Sequence, residues 1–287
     1  MDVAVELTRE LQAKLDQLNL ELSSSGRLLV AYSGGVDSAF LAWAAHQALP
    51  GKMLAVISDS ASLARAQLRD AIAFCRENGI PCQTIATGEM QRPEYVRNDA
   101  MRCFHCKDEL FAALDGFRKE HHFDAIAYGV NKDDQGDYRP GQQAARAHGI
   151  KAPLLEAGLS KQDIRDLARA AGLRVWNKPA SACLASRIEY GREVSPEVLR
   201  QVETAEDALR NLGFQQYRVR HHGAIARIEI ARQELPRAMS PEVSEELVRT
   251  FKSIGFTYVT LDLEGFRSGS MNAMLPVSAL LGAAGKP

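Results

Sequence analysis

Two sets of side chains in this sequence have types and spacings that do chemistry. The first is Ser33-Gly34-Gly35-Val36-Asp37-Ser38, which interrupts the apolar run in RLLVAYSGGVDSAFLAWAA. Gly34 and Gly35 allow backbone N–H groups to approach an anion closely. A helix opening near Asp37 turns its positive end to the same place. Ser33 and Ser38 add hydroxyl donors. Asp37 repels a bare phosphate, so the pattern implies Mg²⁺ held by Asp37 and bridging phosphates. An ordinary P-loop is excluded, because no lysine follows the glycines. A simple helix cap needs one such residue rather than this run.

The second set is sulfur. There are five cysteines, Cys75, Cys82, Cys103, Cys106 and Cys183. An odd number argues against a disulfide framework. Cys75 falls on an apolar helix position and Cys82 opens a strand, so both read as buried thiols. Cys103 and Cys106 stand in RCFHCKD with C-x-x-C spacing. That spacing suits a metal, an iron–sulfur cluster or a redox disulfide, and His105 is a further zinc donor. Cys183 lies in an irregular stretch three residues before Ser186, a better position for chemistry than a core thiol. Cys103, Cys106 and Cys183 together would leave one iron of a [4Fe–4S] cluster without a protein ligand, open to an extra sulfide. Three unrelated thiols are the plainer alternative.

These residues need a scaffold. The chain has 287 residues, 46% of them hydrophobic and 25% charged, with a net charge of −1. That is an ordinary globular composition with no global field for nucleic acid or membrane. No apolar run reaches the ~18 residues of a membrane helix, and the acidic, amphipathic N-terminus lacks a secretion pattern. A cytoplasmic protein is expected. Strand-like runs Leu28–Tyr32, Met53–Ser58, Cys82–Thr87 and Ala125–Val130 alternate with helix patterns Asp37–Leu49, Leu63–Asn78 and Lys107–His121. This alternation predicts a doubly wound α/β domain with a parallel sheet. Ligands then bind beyond the carboxyl ends of the strands. Ser33–Ser38, Ser58–Ser60 and Gly129–Asn131 all fall there, with Gly129 expected to let the backbone approach a nucleotide. The acidic run Asp133, Asp134 and Asp137 reads as a solvated loop rather than a second Mg²⁺ contact.

Trp176–Arg192 has no clean period and reads as a long loop, which at that length is functional or disordered. After it, SPEVLRQVETAEDALRNLGF with QYRVR is echoed by SPEVSEELVRTFKSIGF with TYVTLDL. This degenerate repeat of helix, Gly-Phe and strand predicts a smaller α+β domain, and Leu280–Pro287 should fray. The expected division is an N-terminal helix over 1–26, a nucleotide-binding domain over 27–175, an active-site loop over 176–194 and the α+β domain over 195–287.

Ser33–Ser38 resembles the PP-loop of the N-type ATP pyrophosphatases, the superfamily of NAD and GMP synthetases and several thiolation enzymes. With RCFHCK, YGVNKDDQGDYRPG, WNKPASACLASR, RVRHHGAIARIE and TLDLEGFRSGSMN, the resemblance extends over nearly the whole chain to the LarE family. These are ATP-dependent sulfur transferases of nickel-pincer cofactor synthesis. The resemblance implies ATP and Mg²⁺ as cofactors, with Ser33, Gly34, Gly35, Asp37, Ser38, Ser58 and Gly129 around the nucleotide. It implies pyridinium-3,5-biscarboxylic acid mononucleotide as substrate, its carboxylates adenylated and converted to thiocarboxylates. Some family members sacrifice one loop cysteine as the sulfur source. Others carry a C-x-x-C pair plus a loop cysteine and a [4Fe–4S] cluster, the pattern that Cys103, Cys106 and Cys183 match. The resemblance also points to Ser186, Arg187, Glu206 and Arg218 as the substrate phosphate and orientation site, and to a homo-oligomer.

A substrate with one phosphate and two carboxylates needs fixed cations, and guanidinium forks on Arg187, Arg218 and Arg220 suit it. Arg218 and Arg220 alternate on one strand face, so they form either a paired cationic patch or a wet face. The same reading fits Arg227. Three other functions remain open at this point. A tRNA thiolation enzyme would carry a basic surface or zinc knuckles. An amidating synthetase would use ammonia and leave the cysteines structural. A non-catalytic AMP-binding module would form no pyrophosphate.

Overall fold

The computed structural model describes residues 7–135, 140–179 and 181–267. Asp137, the Tyr138-Arg139 pair and Leu280–Pro287 lie outside the described residues. In chain order the helices and strands are α1 (Arg9–Ser23), β1 (Leu28–Ala31), α2 (Val36–Ala48), β2 (Met53–Asp59), α3 (Arg65–Glu77), β3 (Cys82–Ala86), α4 (Pro93–Val96), α5 (Arg102–Glu120) and β4 (Ala125–Tyr128). They continue as α6 (Pro140–Ala147), α7 (Pro153–Glu156), α8 (Lys161–Ala170), α9 (Pro196–Asn211), β5 (Tyr217–His222), β6 (Ile225–Ile230), α10 (Leu235–Ala238), α11 (Pro241–Ser253) and β7 (Tyr258–Leu261). None of the helices is long and apolar enough to cross a membrane.

The chain forms two compact units. The first contains residues up to 89 together with 103–181, and the second contains 90–102 together with the residues from 182 onward. Between the 3₁₀ turn Glu89–Gln91 and the start of α5 this stretch carries the single turn α4, too short to write a periodic pattern. The stretch read as a long loop contains the 3₁₀ turn Leu184–Arg187, and a second 3₁₀ turn, Arg174–Asn177, leads into it.

In the first unit the strands are all parallel, in the order β3-β2-β1-β4. β1 is central, and its four residues are all buried. A central parallel strand is covered on both faces, which is why its sequence is one apolar run. Side chains alternate across the sheet. Leu28 and Val30 join one core with α1, α2, α3 and α8, while Leu29 and Ala31 join another with Phe111 and Leu114 of α5 and Ala144 and Ala145 of α6. Helices therefore lie on both faces, giving the expected doubly wound α/β fold. After β3 the chain returns to the other side of β1. The switch point lies between β1 and β4, where such sheets bind ligands.

The second unit holds the small mixed sheet β5-β6-β7, with β5 antiparallel and β7 parallel to β6. The two echoed sequence blocks close alike. Phe214 N–H donates to the Leu209 carbonyl and Phe256 N–H to the Phe251 carbonyl, both at 3.1 Å. Each Phe is then buried in the same core with Ala205, Val219 and Ile228. The starts differ. Ser195 accepts a hydrogen bond from Val198 N–H at the head of α9, whereas Ser240 makes no side-chain cap on α11.

Candidate active site

The first unit builds a phosphate cradle at the end of β1. Gly34 has φ of +75°, and a Cβ there would lie 3.0 Å from the Ala71 Cβ, so both conformation and space demand glycine. Gly35 is the N-cap of α2, and no side chain caps the helix. Its first-turn N–H groups therefore face an anion site. Ser38 shapes the loop: its hydroxyl accepts from Ser33 N–H at 3.2 Å and lies 3.0 Å from the Ser33 hydroxyl.

Asp37 is the chemical centre of this cradle. Its Oδ2 accepts from Lys161 Nζ at 3.3 Å, and its Oδ1 is buried with no hydrogen-bond partner. Burial pushes the carboxyl above the usual carboxylate range, and Lys161 offsets only part of this. Asp134 opposes the charge as well. Asn131 lies beside Asp37 and favours it, without forming a well-aligned hydrogen bond. A buried, unpartnered carboxylate oxygen beside a phosphate loop fits a hard divalent cation such as Mg²⁺.

Gly129 and Asn131 reach this place from β4. A Cβ on Gly129 would meet Ser38 N at 2.7 Å and Ser38 Cα at 2.8 Å. The space reserved at Gly129 is thus filled by the first turn of α2, which sets the helix against β4. Asn131 is fully buried and caps the 3₁₀ turn Lys132–Asp134, its Oδ1 accepting from Asp133 N–H at 2.9 Å while Asp134 Oδ2 accepts from Asn131 N–H at 3.1 Å. Asp134 is 8% exposed, so the solvated-loop reading fails for it. The carboxylate closes a cap inside the fold.

Ser58 lies at the end of β2, where its hydroxyl meets the Thr87 hydroxyl at 2.7 Å. Thr87 donates to the buried Glu89, which also accepts from Ser60. Ser58 therefore belongs to a hydroxyl network that fixes the β2 and β3 ends. Lys161 and Lys178 are two cations at the cradle that sequence reasoning missed. Both come from segments more than a hundred residues from the loop, so local pattern carries no signal of them.

Cys103 and Cys106 stand near the start of α5, which begins five residues earlier than the sequence pattern predicted. Cys103 is exposed and Cys106 half-buried, one helical turn apart. No cysteine is in a disulfide. The donor type fits an iron–sulfur cluster in kind. Among the described residues, however, no group of three His, Cys, Asp or Glu side chains is gathered around a metal position.

The second unit gathers Cys183, Ser186, Arg187, Glu206, Arg218 and Arg220. The Ser186 hydroxyl donates to the Cys183 carbonyl at 2.7 Å. Arg187 is 1% exposed and its donors are spent within the protein. Nε and Nη2 go to the Glu206 carboxylate at 2.9 and 3.2 Å, and Nη1 to the carbonyls of Ala182 and Cys183 at 2.7 and 2.9 Å. Arg187 thus clamps the loop that carries Cys183. Arg218 is half-buried, with Phe266 under its guanidinium at 5.1 Å. Burial and the neighbouring Arg187 lower its pKa, with Glu206 opposing, and its Nη1 donates to the Tyr217 carbonyl at 2.6 Å. Arg220 is 6% exposed and paired with the fully buried Glu229 at 2.8 Å, so it is no wet-face residue. Its Nη1 also holds the Ser186 carbonyl at 3.2 Å. Arg227 pairs with Asp262 at 2.7 Å.

A further support was unread in the sequence. Asn98, fully buried with φ of +58°, donates to the carbonyls of Glu189 and Arg192, each at 2.9 Å. Arg102 donates to Asn98 Oδ1 and, at 2.9 Å, to the Ala185 carbonyl. Asn98 and Arg102 therefore brace the loop at carbonyls other than those Arg187 holds.

The cradle places the chain among nucleotide-binding α/β enzymes of the PP-loop type, and the NAD synthase family model matches residues 8–101. The pyridinium-3,5-bisthiocarboxylic acid mononucleotide synthase of Lactiplantibacillus plantarum is 34% identical over 274 residues, 94% of this chain and 98% of that protein. The chain belongs to the LarE family within the PP-loop superfamily. The Synechocystis protein slr1717 is 41% identical over 92% of this chain and 99% of its own. The Methanocaldococcus jannaschii protein MJ0830 is 28% identical over 84% of this chain and 91% of its own.

Proposed function

We propose that this protein adenylates a carboxylate of pyridinium-3,5-biscarboxylic acid mononucleotide with ATP and replaces one carboxylate oxygen with sulfur. The observation that carries the reading is Asp37, whose buried Oδ1 has no partner at the mouth of a glycine phosphate loop. The similarity to a synthase of the corresponding bisthiocarboxylic mononucleotide supplies the substrate.

The substrate carboxylate oxygen attacks the α-phosphorus of ATP. The bond to the β-phosphate breaks, and pyrophosphate leaves with the electron pair. Asp37 would hold the Mg²⁺, which would supply charge neutralisation to the phosphates. The backbone at Gly34 and Gly35 and the uncapped α2 N-terminus hold the departing charge. A sulfur nucleophile then attacks the activated carbonyl, and AMP departs with its electron pair. Arg218 and Arg220 are the proposed anion-binding groups for the mononucleotide, with Ser186, Arg187 and Glu206 fixing the loop around Cys183.

Cys103, Cys106 and Cys183 match the family's three-cysteine pattern and are the residues that would hold a [4Fe–4S] cluster, which would supply the sulfur. The cytoplasm suits such free thiols.

ATP–pyrophosphate exchange tests this function. Labelled pyrophosphate should enter ATP only when the pyridinium mononucleotide and Mg²⁺ are both present. Exchange without the mononucleotide, or none with it, contradicts the reading.

A further inference from the structure

Lys178 is a half-buried cation seated on the phosphate loop. Its Nζ donates to the Gly34 carbonyl at 3.0 Å, and among the described residues it has no carboxylate within ion-pair reach. Burial pulls the ammonium below the usual lysine value, with Asp70 a weaker opposing influence.

The position is built by α8. Arg165 donates to the Trp176 carbonyl at 2.7 Å and to the Lys178 carbonyl at 2.9 Å. Arg169 stands over the Trp176 ring at 5.0 Å. The first residue of the same helix, Lys161, supplies the ammonium on Asp37. One helix thus delivers two cations to the loop, one at each side of Gly35.

A half-buried ammonium without a counter-ion opposes folding. It also keeps two of its three donors for something else. Beside it are the glycine backbone and the uncapped head of α2, both attractive to anions. All three features favour negative charge at Gly34, and among the described residues no carboxylate pairs with Lys178 there.

We propose that Lys178 is a catalytic residue whose ammonium binds the pyrophosphate leaving ATP at the Gly34 side of the loop. This rests on the adenylating function proposed above. When the bond from the α-phosphorus to the bridging oxygen breaks, its electron pair stays on pyrophosphate. Lys178 stabilises that added charge and gives up no proton. Charge-directed donors already in place act most strongly where charge develops.

The test uses the full chain and Mg²⁺-pyrophosphate as the probe. Calorimetry compares the wild type with Lys178→Gln, which keeps a donor for the Gly34 carbonyl but has no charge, and with Lys178→Arg. Lys178→Gln should bind pyrophosphate about tenfold to a hundredfold more weakly. Lys178→Arg should recover most of that loss. Wild-type affinity in Lys178→Gln overturns the proposal. Lysine acetylation of the wild type, read by mass spectrometry, covers the case of a variant that does not fold. Mg²⁺-pyrophosphate should protect Lys178 several-fold, and unchanged labelling overturns the assignment. Loss of exchange in the wild type would overturn the adenylating function and this proposal with it. Wild-type exchange with an unaffected Lys178→Gln would overturn this proposal alone.

Discussion

Arg187 meets Glu206 through two parallel hydrogen bonds while its remaining nitrogen holds the carbonyl of Cys183. A buried guanidinium so fully engaged is a structural clamp. It fixes the backbone of the loop that carries Cys183.

Removing this clamp exposes its cost. Arg187→Ala strands the Glu206 carboxylate, and loss of one partner of a buried pair costs about 3–5 kcal/mol. Urea unfolding of the variant should show that loss. Arg187→Lys cannot reproduce the two-bond fork and should recover only part of it.

Asp37 trades stability for function. Its folded pKa lies above the unfolded value of 3.8, so the folded protein holds the proton more tightly. The charge penalty is absent below 3.8, grows as pH rises from there and is complete above the folded pKa. Asp37→Asn should therefore raise the melting temperature in Mg²⁺-free buffer at neutral pH. The same variant should lose ATP–pyrophosphate exchange. A lowered melting temperature would show that the Lys161 contact outweighs burial.

The brace on the Cys183 loop separates backbone from side-chain effects. Asn98→Ala loses the amide and places a β-carbon in a left-handed conformation, a combined cost of about 2–4 kcal/mol. Asn98→Gly removes only the amide and should cost less. In both, Cys183 should react faster with a thiol reagent, read by mass spectrometry of the labelled peptide. An unchanged rate would show that Arg187 alone holds the loop.

His221 gives the second unit a pH dependence. Gly223 N–H donates to its Nδ1 at 3.3 Å, and its Nε2 pairs with Gln201 Oε1 at 3.0 Å. That arrangement requires the neutral ring. Burial and Arg192 depress the pKa below 6.5, so the unfolded chain binds the proton more readily. The contribution is present above the unfolded pKa and is lost as pH falls below it. Melting curves should show stability declining as pH falls from about 7.5 to 5.5, the range around an unperturbed histidine. His221→Gln should flatten that decline.

The legible and illegible parts of this molecule differ for physical reasons. The β1 run and the glycine loop are written in adjacent residues, because a central parallel strand is apolar throughout and a phosphate loop needs glycine. The helix, Gly-Phe, strand echo survives in sequence because Phe214 and Phe256 plug one core. Lys161 and Lys178 left no local trace, since their places depend on how α8 docks beside α2 and on the Arg165 contacts. Asn98 and Arg102 have no sequence signal, because Asn98 falls in the irregular stretch between α4 and α5 and the Arg102 partner, the Ala185 carbonyl, is 83 residues away. Glu206 enters the sequence reading only through the family resemblance, and its pairing with Arg187 has no sequence signal, because a charge pair nineteen residues apart has no pattern of its own.

The central claim is that carboxylate oxygen is exchanged for sulfur at the cost of ATP cleavage to AMP and pyrophosphate. The most direct measurement is anaerobic incubation of the full chain with ATP, Mg²⁺ and pyridinium-3,5-biscarboxylic acid mononucleotide, followed by mass spectrometry of the small-molecule products. The account predicts a thiocarboxylate, one oxygen replaced by one sulfur, with AMP and pyrophosphate formed in equal amounts to the sulfur incorporated, and no such product from Cys183→Ser. An amide, a product lacking sulfur, or wild-type thiocarboxylate formation by Cys183→Ser would contradict it.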